Sequence, residues 1–379
     1  MRFVIAPDSY KGSLTSREVG AIMAAAVRRE IPDAEIDVIP MADGGEGTVE
    51  ALVEASGGSY EEFVVHGPLE PGTVARMGLI RVGGEPVYVI ETANICGLPM
   101  VTAEGRDPYA ATSRGLGEMI VHALDSGAAR LIVGLGGSAV NDGGMGMLAA
   151  LGVLFRDAEG RQLHGRGRDL LRVAGVDWSG LDPRLATCEI TAASDVTSPL
   201  TGPAGATFVY GPQKGVTPGQ AAELDEAMRR YADMLEPDAS GDGLADCAGA
   251  GAAGGLGYAL LRLGARIESG AEVVARAAGL QERIRGADWV LTGEGRTDAQ
   301  TLSGKLPFRV AEWAAGEGVP AILVSGGLGP AIEPLYARFA AIFPIVARPA
   351  TLDECVSEAE DNLMRCMRSI TRLIKTARG

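Results

Sequence analysis

Carboxylates, amides and lysines stand inside glycine-rich runs at five places along the chain, and that combination has the chemistry of a polyphosphate site. Glycine supplies 54 of the 379 residues, well above the roughly 7% of ordinary usage. A loop without Cβ atoms can bring its backbone close to a ligand and aim several N–H groups at one anion. Asp, Asn or Glu beside such a loop can hold Mg2+ or accept a proton.

The first run, residues 8–13, holds Asp8 and Lys11 between a strand and a helix start, where an α/β sheet usually binds its ligands. Lys11 suits a phosphate or a substrate carboxylate; the alternative is a solvated turn. The second, residues 42–47, sets Asp43 and Glu46 among glycines, for substrate contact or for helix capping and the helix dipole. The third, residues 134–146, contains Gly136, Gly137, Ser138, Asn141 and Asp142 and looks like a loop wrapped around phosphates and a metal. Gly136 and Ala139 also satisfy a loose dinucleotide fingerprint with Asp157 downstream, but the following helix does not start at once, as that motif requires. The fourth, residues 194–215, offers Asp195 as general base or metal ligand and Lys214 for a phosphate, against a simple capping role for Asp195. The fifth, residues 292–305, reads as a polar loop after a strand. There Glu294 and Asp298 suit a metal or a hydroxyl, and Arg296 and Lys305 can clamp a carboxylate or phosphate.

Other chemistries lose support. A literal G-x-G-x-x-G at Gly249, Gly251 and Gly254 follows Asp242 and Cys247 rather than an apolar strand, so close packing through small residues or an anion at a helix start suits it better. No G-x-x-x-x-G-K-[ST] occurs, which excludes a P-loop kinase. His66, His122 and His164 lie in none of the glycine runs, leaving histidine catalysis and a zinc HExxH site unsupported. A formal charge of −15 argues against nucleic acid or an anionic membrane as partner. Five cysteines without a C-x-x-C pair fit a reducing cytoplasm, and no run reaches the roughly 18 apolar residues of a membrane span.

The elements that must position these loops alternate strand and helix. Strands are expected at 2–6 and 35–40, with a helix between them whose start carries Thr15 and Glu18 at capping-box spacing. Hairpins follow at 60–66, 73–82 and 86–91. Next come a helix near 112–125, strands at 131–135 and 188–192, and helices near 147–151, 220–235 and 251–263. The parallel rhythm returns with strands at 289–292, 321–325 and 341–346 and helices at 307–316 and 352–376. The simplest topology is α/β with two domains, residues 1–70 plus 286–379 and an inserted mixed domain 71–285. A cleft between two such domains is a favoured place for a ligand. A homodimer is compatible with the sequence, and nothing in it fixes the oligomeric state.

Taken in order, seven segments resemble the glycerate kinase family of the bacterial glycerate 2-kinase type. They are PDSYKGSLTS at 7–16, PMADGGEGT at 40–48, ETANICGLP at 91–99 and GLGGSAVNDGGMGMLAALG at 134–152. SDVTSPLTGPAGATFVYGPQKG at 194–215, GAGAAGGLG at 249–257 and LTGEGRTDAQTLSGKLP at 291–307 complete the series. The family usually has Thr, Cys and Asn where Val140, Ser194 and Ser198 stand. The resemblance implies phosphate transfer from MgATP to the 2-hydroxyl of D-glycerate, with the 3-hydroxyl or another small hydroxy acid as alternatives. It also implies that the discontinuous domain is Rossmann-like. On that basis the 134–146 loop and Lys214 are expected to hold the ATP phosphates. Asp195 is expected to take the hydroxyl proton, with Asp298 second and Lys11 assisting. Asp8, Asp43, Glu46, Arg296 and Lys305 fall to substrate binding, and Asp195 and Glu294 to Mg2+. A nucleotide-sensing protein without turnover and an NAD-dependent dehydrogenase are the rivals from other classes.

Overall fold

The computed structural model describes residues 1–69, 71–237 and 243–378. The boundary expected at residue 70, Asp242 and the terminal Gly379 lie outside the described residues. The fold is mixed α/β, with fourteen strands and twelve α-helices among the described residues. In chain order the strands are β1 Arg2–Ile5, β2 Glu35–Val38, β3 Ser59–His66, β4 Gly72–Val82, β5 Glu85–Glu91, β6 Arg130–Gly134 and β7 Leu154–Asp157. They continue as β8 Gln162–Leu163, β9 Val173–Asp177, β10 Glu189–Ala193, β11 Arg266–Glu268, β12 Trp289–Thr297, β13 Ala321–Leu328 and β14 Ala341–Pro344.

Residues 1–43, 50–56 and 271–379 form one compact unit. Its sheet has the order β14-β13-β12-β1-β2, every pair parallel. Parallel strands are covered on both faces and so read as continuous apolar runs; Phe3, Val4 and Ile5 are all fully buried. Phe3, Ile5, Leu291 and Val324 share a core with Val19, Met23 and Val27 of the helix Ser16–Glu30 and with Leu363, Met367 and Ile370 of the helix Ala359–Arg378. The capping box sits where the spacing places it: the Thr15 hydroxyl accepts the Glu18 N–H, and the Glu18 carboxylate accepts the Thr15 N–H.

Residues 44–49 and 57–270 form the other unit. Its main sheet, β11-β10-β6-β5-β4-β3, is mixed. β5, β6, β10 and β11 are parallel, and β3, β4 and β5 form antiparallel hairpins. A small antiparallel sheet, β8-β7-β9, accompanies it and has no counterpart in the sequence-based expectations. The unit boundaries differ from the expected 70 and 286. β3 pairs along its whole length with β4 and so belongs with the mixed sheet, while the helices Gly270–Ala277 and Leu280–Ile284 fall largely or wholly in the parallel-sheet unit.

Two elements depart from expectation at the candidate loops. β12 does not stop at Thr292 but runs to Thr297, pairing Glu294 with Ser325 and Arg296 with Gly327 of β13. The helix expected over 251–263 is α-helical only over Leu256–Arg262, because Ala253 takes a left-handed φ of 52° inside a preceding 3-10 turn.

Backbone packs on backbone above β6 and β10. A Cβ on Gly44 would lie 2.4 Å from the Ala193 carbonyl oxygen at a φ of +89°, whereas Gly47, at φ +85°, faces open space. Both substitutions to Ala force the left-handed region, at about 1–2 kcal/mol. Gly44→Ala also drives a carbon into a carbonyl and should cost roughly twice as much as Gly47→Ala. Urea unfolding of the two variants beside wild type checks the difference.

Candidate active site

The parallel sheet changes winding direction beside β1. The chain leaves β1 for β2 on one side, and β12, β13 and β14 extend on the other. Ligands in open α/β sheets bind outside the carboxyl ends of strands at such a switch point. Asp8 stands there, just past β1. Its N–H donates to the Gly293 carbonyl of β12 at 2.9 Å, while the Pro7 carbonyl accepts the Met41 N–H at 3.0 Å. Asp8 is thus set between the extensions of its two neighbouring strands. Tyr10, buried, fixes the rest of the loop by donating its hydroxyl to the Val324 carbonyl at 2.8 Å.

A charged cluster surrounds Asp8. Lys11 pairs with Asp43 at 3.2 Å, and the same carboxylate raises the lysine's proton affinity. On β12, Glu294 is buried, and its Oε1 accepts the hydroxyls of Thr297 at 2.9 Å and Thr301 at 2.8 Å. Its Oε2 lies 3.9 Å from Lys305 Nζ. Burial pushes the Glu294 carboxyl up, against the pull of those hydroxyls and Lys305. Asp298 Oδ1 accepts the Gln300 N–H at 3.0 Å and lies 3.7 Å from Lys305, and Oδ2 lies 3.6 Å from exposed Arg296. Asp8 itself is half-buried, with only the Ser9 N–H on its Oδ1, at 2.7 Å. Burial and the nearby Asp43 push its carboxyl up to about 7, with Lys11 opposing and Glu294 adding like charge.

Over the mixed sheet, the ends of β5, β6 and β10 carry a second set of loops. Gly136 donates its N–H to the Gly44 carbonyl at 2.9 Å and accepts the Thr92 hydroxyl at 2.7 Å. Gly137, exposed at φ +70°, forms the tip. Lys214 is buried beneath this loop, donating to Ser138 Oγ at 3.1 Å and to the Val140 carbonyl at 2.7 Å. It forms no ion pair among the described residues, and burial lowers its amine to about 8. Asn141 gives its Nδ2 to Thr207 Oγ1 at 3.1 Å, and its Oδ1 is buried without a partner. Glu46 is exposed on the segment that follows Gly44.

The candidates therefore separate by environment. Asp142 is fully enclosed and accepts the N–H groups of Ser113, Gly144 and Gly146 together with the Ser113 hydroxyl. Burial raises its carboxyl against those bonds, and its geometry is that of a loop anchor rather than a phosphate or metal contact. Glu294, expected as a metal ligand in a loop, is a strand residue already held by two hydroxyls. Asp157, of the discarded fingerprint, is occupied by Arg161 and Arg172. Asp195 is exposed past β10 and accepts the Gly270 N–H at 3.0 Å. Sequence reasoning missed Glu91 at the end of β5. Buried, it accepts the N–H groups of Gly47 at 3.4 Å and Val49 at 2.9 Å and so holds the glycine segment 44–47. An acidic residue closing the buried run 87–90 was the available signal. The cavity lined by Leu170, Leu171, Val173, Arg230, Asp233 and Met234 contains none of the candidates.

Carboxylates and cations at the ends of parallel strands in one unit, and amide-rich glycine loops over a buried lysine in the other, are the features of an α/β enzyme. The model of the Glycerate kinase family matches residues 3–375. The chain is 44% identical to Glycerate 2-kinase of Escherichia coli K12, covering 98% of this chain and 97% of that protein. It is 42% identical to Glycerate kinase of Bacillus subtilis 168, covering 100% and 99%. A crystal structure provisionally assigned as glycerate kinase 2 from Salmonella typhimurium LT2 superposes with a TM-score of 0.85 at 43% identity, over 100% of this chain and 99% of that one. This protein belongs to the glycerate kinase family and is a kinase. No helix among the described residues is long and apolar enough to cross a membrane.

Asp142→Ala should destabilise the protein by about 3 kcal/mol, because three buried N–H groups and a hydroxyl lose their acceptor. A thermal melt with and without nucleotide checks this. A loop anchor predicts a loss that is already present without nucleotide.

Proposed function

We propose that the enzyme transfers the γ-phosphate of ATP to the 2-hydroxyl of D-glycerate, giving 2-phosphoglycerate and ADP. The observation that carries this reading is the cluster around Asp8. A small hydroxy acid presents a carboxylate and hydroxyls within a few ångströms. The cluster presents the complement: Lys11, Lys305 and Arg296 as cations, with Asp8 and Asp43 as hydrogen-bond acceptors for hydroxyls. The name of the Escherichia coli relative supports the 2-hydroxyl.

Phosphoryl transfer is catalysed mainly by positioning and charge neutralisation. In this proposal Gly136, Gly137 and Ser138 meet the ATP phosphates, and Lys214 supplies positive charge beneath them. Asn141 and Asp142 hold the loop in shape, and Glu46 contacts substrate. Mg2+ bound with ATP would supply neutralisation of the phosphate charge. A Mg2+ ion keeps waters and phosphate oxygens and takes only one or two carboxylates, so the exposed Asp195 is the residue we assign to it. Among the described residues no larger group of metal-binding side chains gathers. Glu294 and Asp298 orient Lys305. The same proposal includes a Rossmann-like character for the parallel-sheet unit, interrupted in the chain by the mixed one, and a cytoplasmic setting suited to five free thiols.

Incubation of the purified protein with MgATP and D-glycerate, followed by phosphorus NMR, should give a phosphomonoester on carbon 2. A signal on carbon 3 reverses the regiochemistry, and absence of product with ATP bound removes glycerate as the acceptor.

A further inference from the structure

We propose that Asp8 is the catalytic base that takes the proton from the acceptor hydroxyl during phosphate transfer, a role the sequence pattern assigned to Asp195 or Asp298. The inference rests on the kinase reading above and concerns which side chain serves it.

Commitment of oxygen atoms singles Asp8 out. Glu294 Oε1 accepts two hydroxyls, and its Oε2 faces Lys305. Asp298 is pinned by the Gln300 N–H and flanked by Lys305 and Arg296. Asp43 is engaged by Lys11, and Asp195, exposed and with the Gly270 N–H on its Oδ1, is the carboxylate assigned above to Mg2+. Asp8 has one oxygen, Oδ1, oriented by the Ser9 N–H, while Oδ2 has no hydrogen-bond partner among the described residues. An oriented carboxylate with one open oxygen is what a general base requires, since it must reach the proton it removes.

Location agrees. The main-chain bond from Asp8 to Gly293 fixes the residue at the strand-end switch point. Lys11, on the same loop, stands beside it to receive a carboxylate. In the step itself, the acceptor oxygen forms its bond to the γ-phosphorus as its proton passes to Asp8 Oδ2. The bond from that phosphorus to the bridging oxygen breaks, and the electron pair leaves with ADP. Asp8 later gives the proton to water.

The surroundings suit the task. The charged groups facing Asp8 are Lys11 on its own loop, Asp43 after β2 and Glu294 on β12, with Asp298 and Lys305 behind Glu294. The like charges and burial hold the carboxyl near neutrality, where a base both exists ionised and retains affinity for a proton.

Three proteins test this: wild type, Asp8→Asn and Asp43→Asn, each assayed for kcat and for kcat/KM of glycerate from pH 5.5 to 9 at saturating MgATP. Wild-type kcat/KM should rise through about pH 7. Asp8→Asn should lose about 10²–10⁴-fold in kcat, and its residual activity should lack that limb. Asp43→Asn removes a like charge and releases Lys11 towards Asp8, so its limb should move to lower pH. An Asp8→Asn enzyme within fivefold of wild type, or one keeping the wild-type limb, overturns the assignment. So does an unmoved limb in Asp43→Asn, which reads the intact Asp8 even if Asp8→Asn fails to fold. If wild type yields no phosphoglycerate, the kinase reading falls. Normal wild-type turnover beside an active Asp8→Asn overturns the base alone.

Discussion

Close approach of backbone to backbone is the constraint on which the loops over the mixed sheet depend. A Cβ on Gly136 would lie 2.3 Å from Gly45 Cα, one on Gly254 would lie 2.1 Å from the Val140 carbonyl oxygen, and one on Gly257 would lie 2.0 Å from the Gly249 carbonyl oxygen. Loops this tightly stacked cannot rearrange one at a time. Their N–H groups are therefore presented in fixed directions, as an anion site needs. The polar anchors work in the same sense. Glu91, Asp142 and Lys214 each reach into a loop and bind its main chain, so buried charge here is spent on shape.

Lys214 shows the cost of that arrangement. An ammonium group without a carboxylate partner loses solvation on burial, and its lowered proton affinity follows. The neutral acceptors Ser138 and Val140 offset part of the cost and leave the positive charge uncancelled. An anion outside the loop would meet that charge through a few atoms of low-dielectric protein, where its attraction is poorly screened.

Legibility in the sequence tracked how locally each feature is determined. The strand at Arg2–Ile5, the capping box at Thr15 and Glu18 and the hairpins β3-β4-β5 depend on adjacent residues, and all occur as read. β12 was read too short because Thr292, Gly293, Glu294, Gly295 and Arg296 have the composition of a loop. Pairing with β13, and the Thr292 hydroxyl donated to the Ala6 carbonyl at 2.7 Å, override that local preference. The helix at 352–376 divides into Leu352–Ser357 and Ala359–Arg378 without a Gly or Pro to announce it. Among site candidates, residue type marked the charged positions but not their commitments. Asp142 and Asp8 look alike as acids beside small residues, and only the enclosing donors of the one and the open oxygen of the other separate them.

That separation has a physical logic. The donors around Asp142 favour its anion against the burial that raises its proton affinity, and they occupy both of its oxygens, so that carboxylate is suited to holding structure. A carboxylate with a single donor, crowded by other acids and partly shielded from water, gives up that preference and becomes able to exchange a proton near neutral pH. In the parallel-sheet unit the second environment arises from topology. Two neighbouring strands and the segment after a third bring Asp8, Glu294 and Asp43 to one sheet edge, and the two lysines keep the cluster from being purely repulsive. Without Lys11 and Lys305, three acids brought this close would oppose folding. With them the cluster retains both signs of charge, and a molecule carrying a carboxylate beside a hydroxyl can satisfy both at once.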